Sequence, residues 1–102
     1  MDVIIRNGTV VTAAESYIAD VGIKDGKIAT VGAGLEDPGA RIVEAKGLLV
    51  LPGAIDAHTH LAMPFGGTVS ADDYRSGTTA ALCGGVTTVI DYAIQRKGAG
   101  II

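Results

Sequence analysis

Residues 52–60 read Pro52-Gly53-Ala54-Ile55-Asp56-Ala57-His58-Thr59-His60 and contain both histidines of the 102-residue chain. They end an apolar run from Leu48 to Ile55, which predicts a buried strand. In an extended strand, residues two apart share a face, so Asp56, His58 and His60 point the same way. The Cα atoms of the two histidines would lie about 7 Å apart, so both imidazoles can reach one ion at a Zn–N distance of about 2 Å.

The surroundings of the histidine pair favour a metal-binding interpretation. The pair follows the carboxyl end of a hydrophobic strand, Asp56 shares its face, and a long glycine-containing loop comes next. Barrel enzymes place their reacting groups at that end of their strands. His-x-His by itself is not specific, because it occurs by chance in many chains. Two imidazoles are also only part of a catalytic zinc site, which usually has three protein ligands.

Several positions near the pair leave alternatives open. Asp56 is either a further metal ligand or, as we favour because it lies one pleat deeper, a group that orients a histidine through its second ring nitrogen. Asp91 either reaches the same site or, as we favour, holds its strand or the following loop. The loop from Leu61 to Ser70 is longer than most α/β connections. Met63 and Phe65 on this loop either face a substrate or, if the strand belongs to a barrel, cap the open end of that barrel.

The composition is that of a globular protein without a strongly charged surface. Hydrophobic residues make up 48% of the chain and the net charge is −3, which permits an apolar core in one small domain. The eight Lys and Arg are scattered, so we expect a small-molecule partner and no nucleic acid or anionic membrane. Because no segment resembles a signal peptide or a membrane span, we expect a cytoplasmic protein. The single cysteine, Cys83, is expected to be buried and inert.

The first half of the chain predicts strands only. Asn7-Gly8 lies between two β-prone runs and predicts a type I′ hairpin turn, since both central residues of that turn need φ > 0. Asp25-Gly26 predicts a second hairpin. Two further short strands follow a breaker-rich turn. Strands at this spacing suggest part of a β-sandwich, or of a small barrel, in residues 1–51.

The second half changes to strand, helix and strand. Ser70 predicts a helix N-cap and Gly84-Gly85 the helix stop. The β-branched run from Val86 to Tyr92 predicts a strand buried on both faces. Such a βαβ unit is the building block of a (β/α)8, or TIM, barrel. The predicted fold class is therefore α/β, with part of a β-sandwich over residues 1–51 and the incomplete start of a barrel over residues 52–102.

The motifs resemble the metal-dependent amidohydrolase superfamily. The first-strand signature is Pro52-Gly53-x-Ile55-Asp56-x-His58-x-His60. The continuation resembles D-hydantoinases and dihydropyrimidinases through Met63-Pro64-Phe65-Gly66-Gly67-Thr68, Asp72-Asp73-Tyr74, Ser76-Gly77-Thr78 and Gly84-Gly85-Val86-Thr87-Thr88-Val89-Ile90-Asp91-Tyr92. The similarity runs from residue 2 to about residue 97. Ala62 departs from it, because relatives often carry a polar or acidic side chain there.

The resemblance implies a hydrolase that opens a cyclic amide, a hydantoin or dihydropyrimidine ring, at a C–N bond. It implies two zinc ions bridged by a carboxylated lysine outside this chain, with His58 and His60 on one of them. The loop carrying Met63 and Phe65 would border the pocket for the substituent on the substrate ring. Family members commonly form homotetramers, so a homo-oligomer is expected. The resemblance also implies that the catalytic residues come from later strands and none from residues 1–102, so the chain alone is expected to be inactive.

Three other interpretations remain open at this point. Dihydroorotase and allantoinase, which are other cyclic amidases, share the His-x-His strand but usually differ in the residues after it. A non-catalytic assembly protein of the dihydropyrimidinase-like fold would generally lack the histidine ligands, which are present here. A free-standing β module would require the first half of the chain to fold alone.

Overall fold

The computed structural model describes residues 1–95, 97, 98 and 100. The chain divides into two compact units, Met1–Pro52 and Gly53–Ile102. The elements in chain order are β1 (Val3–Val11), β2 (Ser16–Lys24), β3 (Lys27–Gly32), β4 (Arg41–Glu44), β5 (Leu49–Val50), β6 (Ala54–Thr59), β7 (Pro64–Phe65), β8 (Thr68–Val69), α1 (Tyr74–Cys83) and β9 (Val86–Asp91). Across the described residues, no helix is both long and apolar enough to cross a membrane.

The first unit is built on a five-stranded sheet with β1 at its centre. One edge of β1 pairs antiparallel with β2, which pairs antiparallel with β3. The other edge of β1 pairs in parallel with β4 and, further along, with β5. Val10, Ala19 and Val21 form a buried apolar cluster, and Ile4 is buried completely. These side chains are mostly β-branched, the type that packs well on the surface of a sheet.

The predicted type I′ turn at Asn7-Gly8 is wrong, because β1 runs through both residues. The register of β1 against β2 shifts between Ile5 and Gly8, which marks a β-bulge. Asn7 has a φ of 61°, a left-handed conformation that asparagine tolerates. Gly8 is required by close packing, since a Cβ there would overlap Val50 and lie 3.2 Å from the Cβ of Ala45. The Asn-Gly pair, which is typical of a hairpin turn, therefore forms a β-bulge within β1.

The second predicted hairpin is confirmed. Asp25 and Gly26 join β2 to β3 and have φ values of 51° and 70°. Positive φ at both central residues is what a type I′ turn needs, and this turn matches the twist of the flanking strands. The connection between β1 and β2 lies further along than predicted, where Thr12 donates its backbone N–H to the carbonyl oxygen of Glu15 at 2.9 Å.

The apolar run predicted as one buried strand forms two strands in different sheets. β5 pairs with β1, whereas β6 pairs with β9. Pro52 lies between them and cannot donate a backbone hydrogen bond to a sheet. Burial was also predicted wrongly, since Leu49 and Ile55 are 64% and 65% exposed. An apolar run shows that a strand can bury its side chains, but it does not show which segment covers them.

The second unit contains the predicted βαβ arrangement. β6 and β9 are parallel, and α1 between them packs against β9. The helix N-cap is Asp73, however, and not Ser70 as predicted. Asp73 accepts the backbone N–H of Ser76 at 2.8 Å, and the Ser76 hydroxyl accepts that of Asp73 at 3.1 Å, which together form a capping box. Ser70 has another role, because its hydroxyl oxygen accepts the backbone N–H of Met63 at 2.8 Å.

The end of the helix was predicted correctly and the burial of the following strand was not. Gly84 is the C-cap and Gly85 follows with a φ of 83°, which confirms the glycine stop. The predicted burial of β9 on both faces is wrong, since Ile90 is 53% exposed. Cys83, expected to be buried, is exposed.

Candidate metal centre

The two histidines of the motif converge. His58 lies in β6 and His60 follows its last residue, so both side chains project from the same face at the carboxyl end of the strand. Their Nε2 atoms are 3.2 Å apart, and their rings are nearly perpendicular with centroids 5.0 Å apart. Both residues are exposed. The alternation of an extended strand therefore brings two ring nitrogens to one point, as the sequence predicted.

The separation of the two nitrogens fits a shared metal ion. Two ligands at about 2.0 Å from a tetrahedral zinc ion are about 3.3 Å apart, close to the observed 3.2 Å. The same distance suits a hydrogen bond from a protonated Nε2 to an unprotonated one. Binding an ion requires both nitrogens to be unprotonated and to present their lone pairs. The donor set, two imidazoles, is one that zinc prefers.

Asp56 is close to the pair in sequence but contacts the main chain. Its Oδ1 accepts the backbone N–H of His58 at 3.0 Å. Within the described part of the chain, no three His, Cys, Asp or Glu side chains group so that they could hold a metal ion. The structure therefore brings the side chains of His58 and His60 together. The Asp56 carboxylate instead binds the backbone N–H of His58. Its predicted action on a ring nitrogen stays a prediction.

Asp91 ties three segments of the second unit together. Its carboxylate accepts the backbone N–H of Leu61 at 3.2 Å and that of Tyr92 at 2.7 Å, and it also accepts the hydroxyl of Tyr74. Desolvation raises the pKa of Asp91, but these hydrogen bonds, led by that from Tyr74, and the nearby His60 lower it by more. The carboxylate thus links the end of β9 to the start of α1 and to the residue after His60.

Tyr92 is a neighbour of the histidines that the sequence interpretation did not single out. Its ring centroid lies 4.6 Å from that of His58 and 5.2 Å from that of His60. The available signal was its position directly after β9, because the carboxyl ends of adjacent parallel strands meet at one edge of a sheet. The three rings form a cluster at this edge.

Part of the predicted substrate loop forms a short β-hairpin. β7 and β8 pair antiparallel around Gly66 and Gly67, whose φ values are 59° and 82°. Phe65 lies on β7 and is 76% exposed, whereas Met63 is half-buried just before it. A short hairpin with an exposed aromatic side chain is compatible with contact to a ligand.

Replacing Gly53 by alanine in the intact protein that carries this chain should destabilise the β6–β9 pair by about 1.5 kcal/mol, as overpacking does. The added Cβ would lie 2.6 Å from the Cβ of Thr87, so the strands would have to move apart. Hydrogen exchange of peptides from both strands measures the lost protection. Gly32→Ala is the control, since the nearest atom to its Cβ would be Leu35 Cδ2 at 3.8 Å. Unchanged exchange in Gly53→Ala would contradict the close approach.

A parallel strand pair with convergent imidazoles at its carboxyl end is typical of metal-dependent hydrolases built on barrels. The sequence model of the amidohydrolase family matches residues 49–101, which include β6, both histidines and β9. The chain belongs to the amidohydrolase family.

Individual relatives are similar over nearly the whole chain. The D-hydantoinase of Geobacillus stearothermophilus is 55% identical over 98 residues, which are 96% of this chain and 21% of the relative. The dihydropyrimidinase of Rattus norvegicus is 48% identical over 97% of this chain and 20% of its own length. A crystal structure of a D-hydantoinase superposes with a TM-score of 0.94 at 56% identity, covering 97% of this chain and 22% of that one. The chain thus spans about a fifth of the length of these proteins.

Proposed function

We propose that the intact protein that carries this chain is a zinc-dependent cyclic amidase of the D-hydantoinase and dihydropyrimidinase type. His58 and His60 are two of its metal ligands, and the substrate is a hydantoin or dihydropyrimidine ring that opens at a C–N bond. The observation that carries the proposal is the 3.2 Å convergence of the two Nε2 atoms within the segment that matches the amidohydrolase family. The names of the similar proteins support the choice of substrate class.

The role of the histidines follows from their chemistry. Each binds through an unprotonated Nε2, and their shared strand face places both imidazoles on the same side of β6. When bound, zinc would supply a Lewis acid that polarises an amide carbonyl. Two zinc ions would need further ligands from elsewhere in the protein, a carboxylated lysine among them, so residues 1–102 alone would be inactive.

The other residues of the site support this binding. Asp56 holds the backbone of His58 through its N–H, at 3.0 Å. Asp91 holds the backbone of Leu61, the residue after His60, at 3.2 Å. Both contacts restrict the end of β6, which matters because a catalytic group displaced by about 1 Å can lose a hundredfold in rate. Met63 and the exposed Phe65 would contact the substituent on the substrate ring.

The domain assignment belongs to the same proposal. Residues 1–51 would be part of a β-sandwich and residues 52–102 the start of a (β/α)8 barrel. Support comes from large apolar side chains that are exposed to solvent in both units. Ile18 and Ile28 of the first unit are 74% and 69% exposed, and Ile55 of the second unit is 65% exposed. Completed sheets bury such side chains.

The test is an assay of the intact protein with hydantoin, dihydrouracil, dihydroorotate and allantoin as substrates, alongside its measured zinc content. We expect bound zinc and ring opening of hydantoin or dihydrouracil, loss of activity after chelation, and recovery on adding zinc. Turnover of only dihydroorotate or allantoin would move the protein to another cyclic amidase. A protein that binds no zinc and opens none of these rings would instead be a non-catalytic assembly protein.

A further inference from the structure

The aromatic ring of Tyr92 contacts both histidine rings at once. Its plane is tilted by 45° to His58 and by 36° to His60, at centroid distances of 4.6 and 5.2 Å. Aromatic pairs at 4.5–7 Å attract each other beyond the area that they bury. One ring therefore restrains two side chains whose nitrogens must stay 3.2 Å apart.

We propose that Tyr92 is a positioning residue for the imidazole pair, and this inference rests on the proposed metal centre. Each imidazole turns about two side-chain torsions, and the ring torsion is broad. The planar ring of Tyr92, in contact with both imidazoles, restricts the ring torsion angles that they can adopt before an ion binds. The ion then loses less of its binding free energy to ordering the ligands.

The backbone of Tyr92 is itself fixed against the strand that carries the histidines. Its N–H donates to Asp91 Oδ1 at 2.7 Å, and Asp91 Oδ2 accepts the N–H of Leu61 at 3.2 Å. The hydroxyl of Thr59 donates to the carbonyl oxygen of Ile90 at 3.2 Å. Thr59 and Asp91 are also register partners of β6 and β9. These hydrogen bonds therefore hold the carboxyl ends of β6 and β9 together at the position of the three rings.

The contacts assign the role to the ring of Tyr92 and not to its hydroxyl. The geometry is ring to ring, so phenylalanine should preserve it and leucine should not. Tyr92 follows the last residue of β9, so its replacement changes no residue of the paired strands or of α1. Tyr17, which is 38% exposed on β2 of the first unit, offers a matched substitution at a residue that is not part of the ring cluster.

The experiment compares the intact wild-type protein with Tyr92→Leu, Tyr92→Phe and Tyr17→Leu. The first measurement is the rate at which the protein releases zinc to a chromogenic chelator. The second is the visible absorption spectrum of the protein after its zinc has been replaced by Co²⁺. Because partners around metal ligands typically change affinity by about 10- to 100-fold, Tyr92→Leu should release zinc about tenfold faster and shift the cobalt bands. Tyr92→Phe and Tyr17→Leu should match the wild type.

Two results would overturn the inference while leaving the metal centre intact. In one, Tyr92→Leu releases zinc at the wild-type rate with an unchanged cobalt spectrum. In the other, Tyr92→Phe is impaired as much as Tyr92→Leu, which would assign the effect to the hydroxyl. A wild-type protein that takes up neither metal would overturn the proposed function as well, so the two failures are distinguishable.

Discussion

Replacing either His58 or His60 by alanine in the intact protein should remove bound zinc and reduce ring opening by at least about a thousandfold. The magnitude follows because a Lewis-acid metal contributes several kcal/mol to the rate, and each 1.36 kcal/mol is a factor of ten. Each histidine presents its own Nε2 at the proposed site, 3.2 Å from the other, so either replacement removes one proposed ligand. Metal analysis and turnover of the same preparations measure the two losses together.

Thr59→Ser is the matched control for these histidine variants. Thr59 lies between the two histidines, and its hydroxyl donates to Ile90 on β9, a bond that serine can keep. We expect this variant to retain metal and turnover. A histidine variant that keeps full zinc content and normal turnover would refute the assignment of that residue as a ligand.

Replacing Asp20 by alanine should destabilise the first unit by about 2–3 kcal/mol. Asp20 is 3% exposed, and its carboxylate accepts the backbone N–H of Asn7 at 2.8 Å and that of Leu35 at 2.9 Å. A hydrogen bond to a charged group contributes about 1.5–3 kcal/mol, and its loss leaves an N–H without a partner. Hydrogen exchange in peptides that cover both donors, measured on the intact protein, should become faster. Glu15→Ala, at an exposed position between β1 and β2, is the control and should leave those peptides unchanged.

The contribution of Asp20 should depend on pH in a defined direction. The hydrogen bond from Asn7, followed by that from Leu35, lowers the pKa of Asp20 below its ordinary 3.8, against the opposing effect of desolvation. A carboxyl group with a lowered pKa in the folded state stabilises the protein fully above its ordinary pKa. That stabilisation is lost as the pH falls through the lowered value.

Asp20→Asn tests this pH dependence. Wild type and variant should differ strongly in exchange protection at about pH 6, begin to converge below about pH 3.8, and become similar only once the pH has fallen through the lowered pKa of the wild-type carboxyl. Comparing the two proteins at each pH removes the intrinsic pH dependence of exchange. A difference that stays constant from about pH 6 to pH 3 would mean that charge is not the source of the stabilisation.

Local chemistry predicted the parts of the structure that depend on neighbouring residues. The type I′ turn at Asp25-Gly26 was predicted because only a few residue types adopt its positive φ values. The helix stop at Gly84 and the convergence of His58 and His60 were predicted for equally local reasons, namely helix capping and strand alternation.

The sequence misled where partners distant in the chain decide the outcome. Asn7 adopts the positive φ expected of a turn, but the carboxylate of Asp20, thirteen residues away, accepts its N–H and keeps it within β1. Gly8 is small because Val50 packs over it, which no local pattern reveals. The N-cap moved from Ser70 to Asp73 because the Ser70 hydroxyl is engaged by Met63.

Burial and the neighbours of the site were the least predictable. Leu49, Ile55 and Ile90 are apolar enough for a buried sheet, yet each is more than half exposed. Hydrophobicity reports what a strand can bury, whereas actual burial depends on which other segments cover it. Tyr92 was missed for a related reason, since its contact with the histidines depends on the pairing of β6 with β9.

Diffraction from crystals of the intact, zinc-loaded protein, collected on both sides of the zinc absorption edge, would test the metal centre directly. We expect an anomalous peak about 2 Å from the Nε2 atoms of both His58 and His60, with the ring of Tyr92 still in contact with both. Zinc bound elsewhere, with these two nitrogens free of any ion, would contradict the metal centre and the proposed function that depends on it.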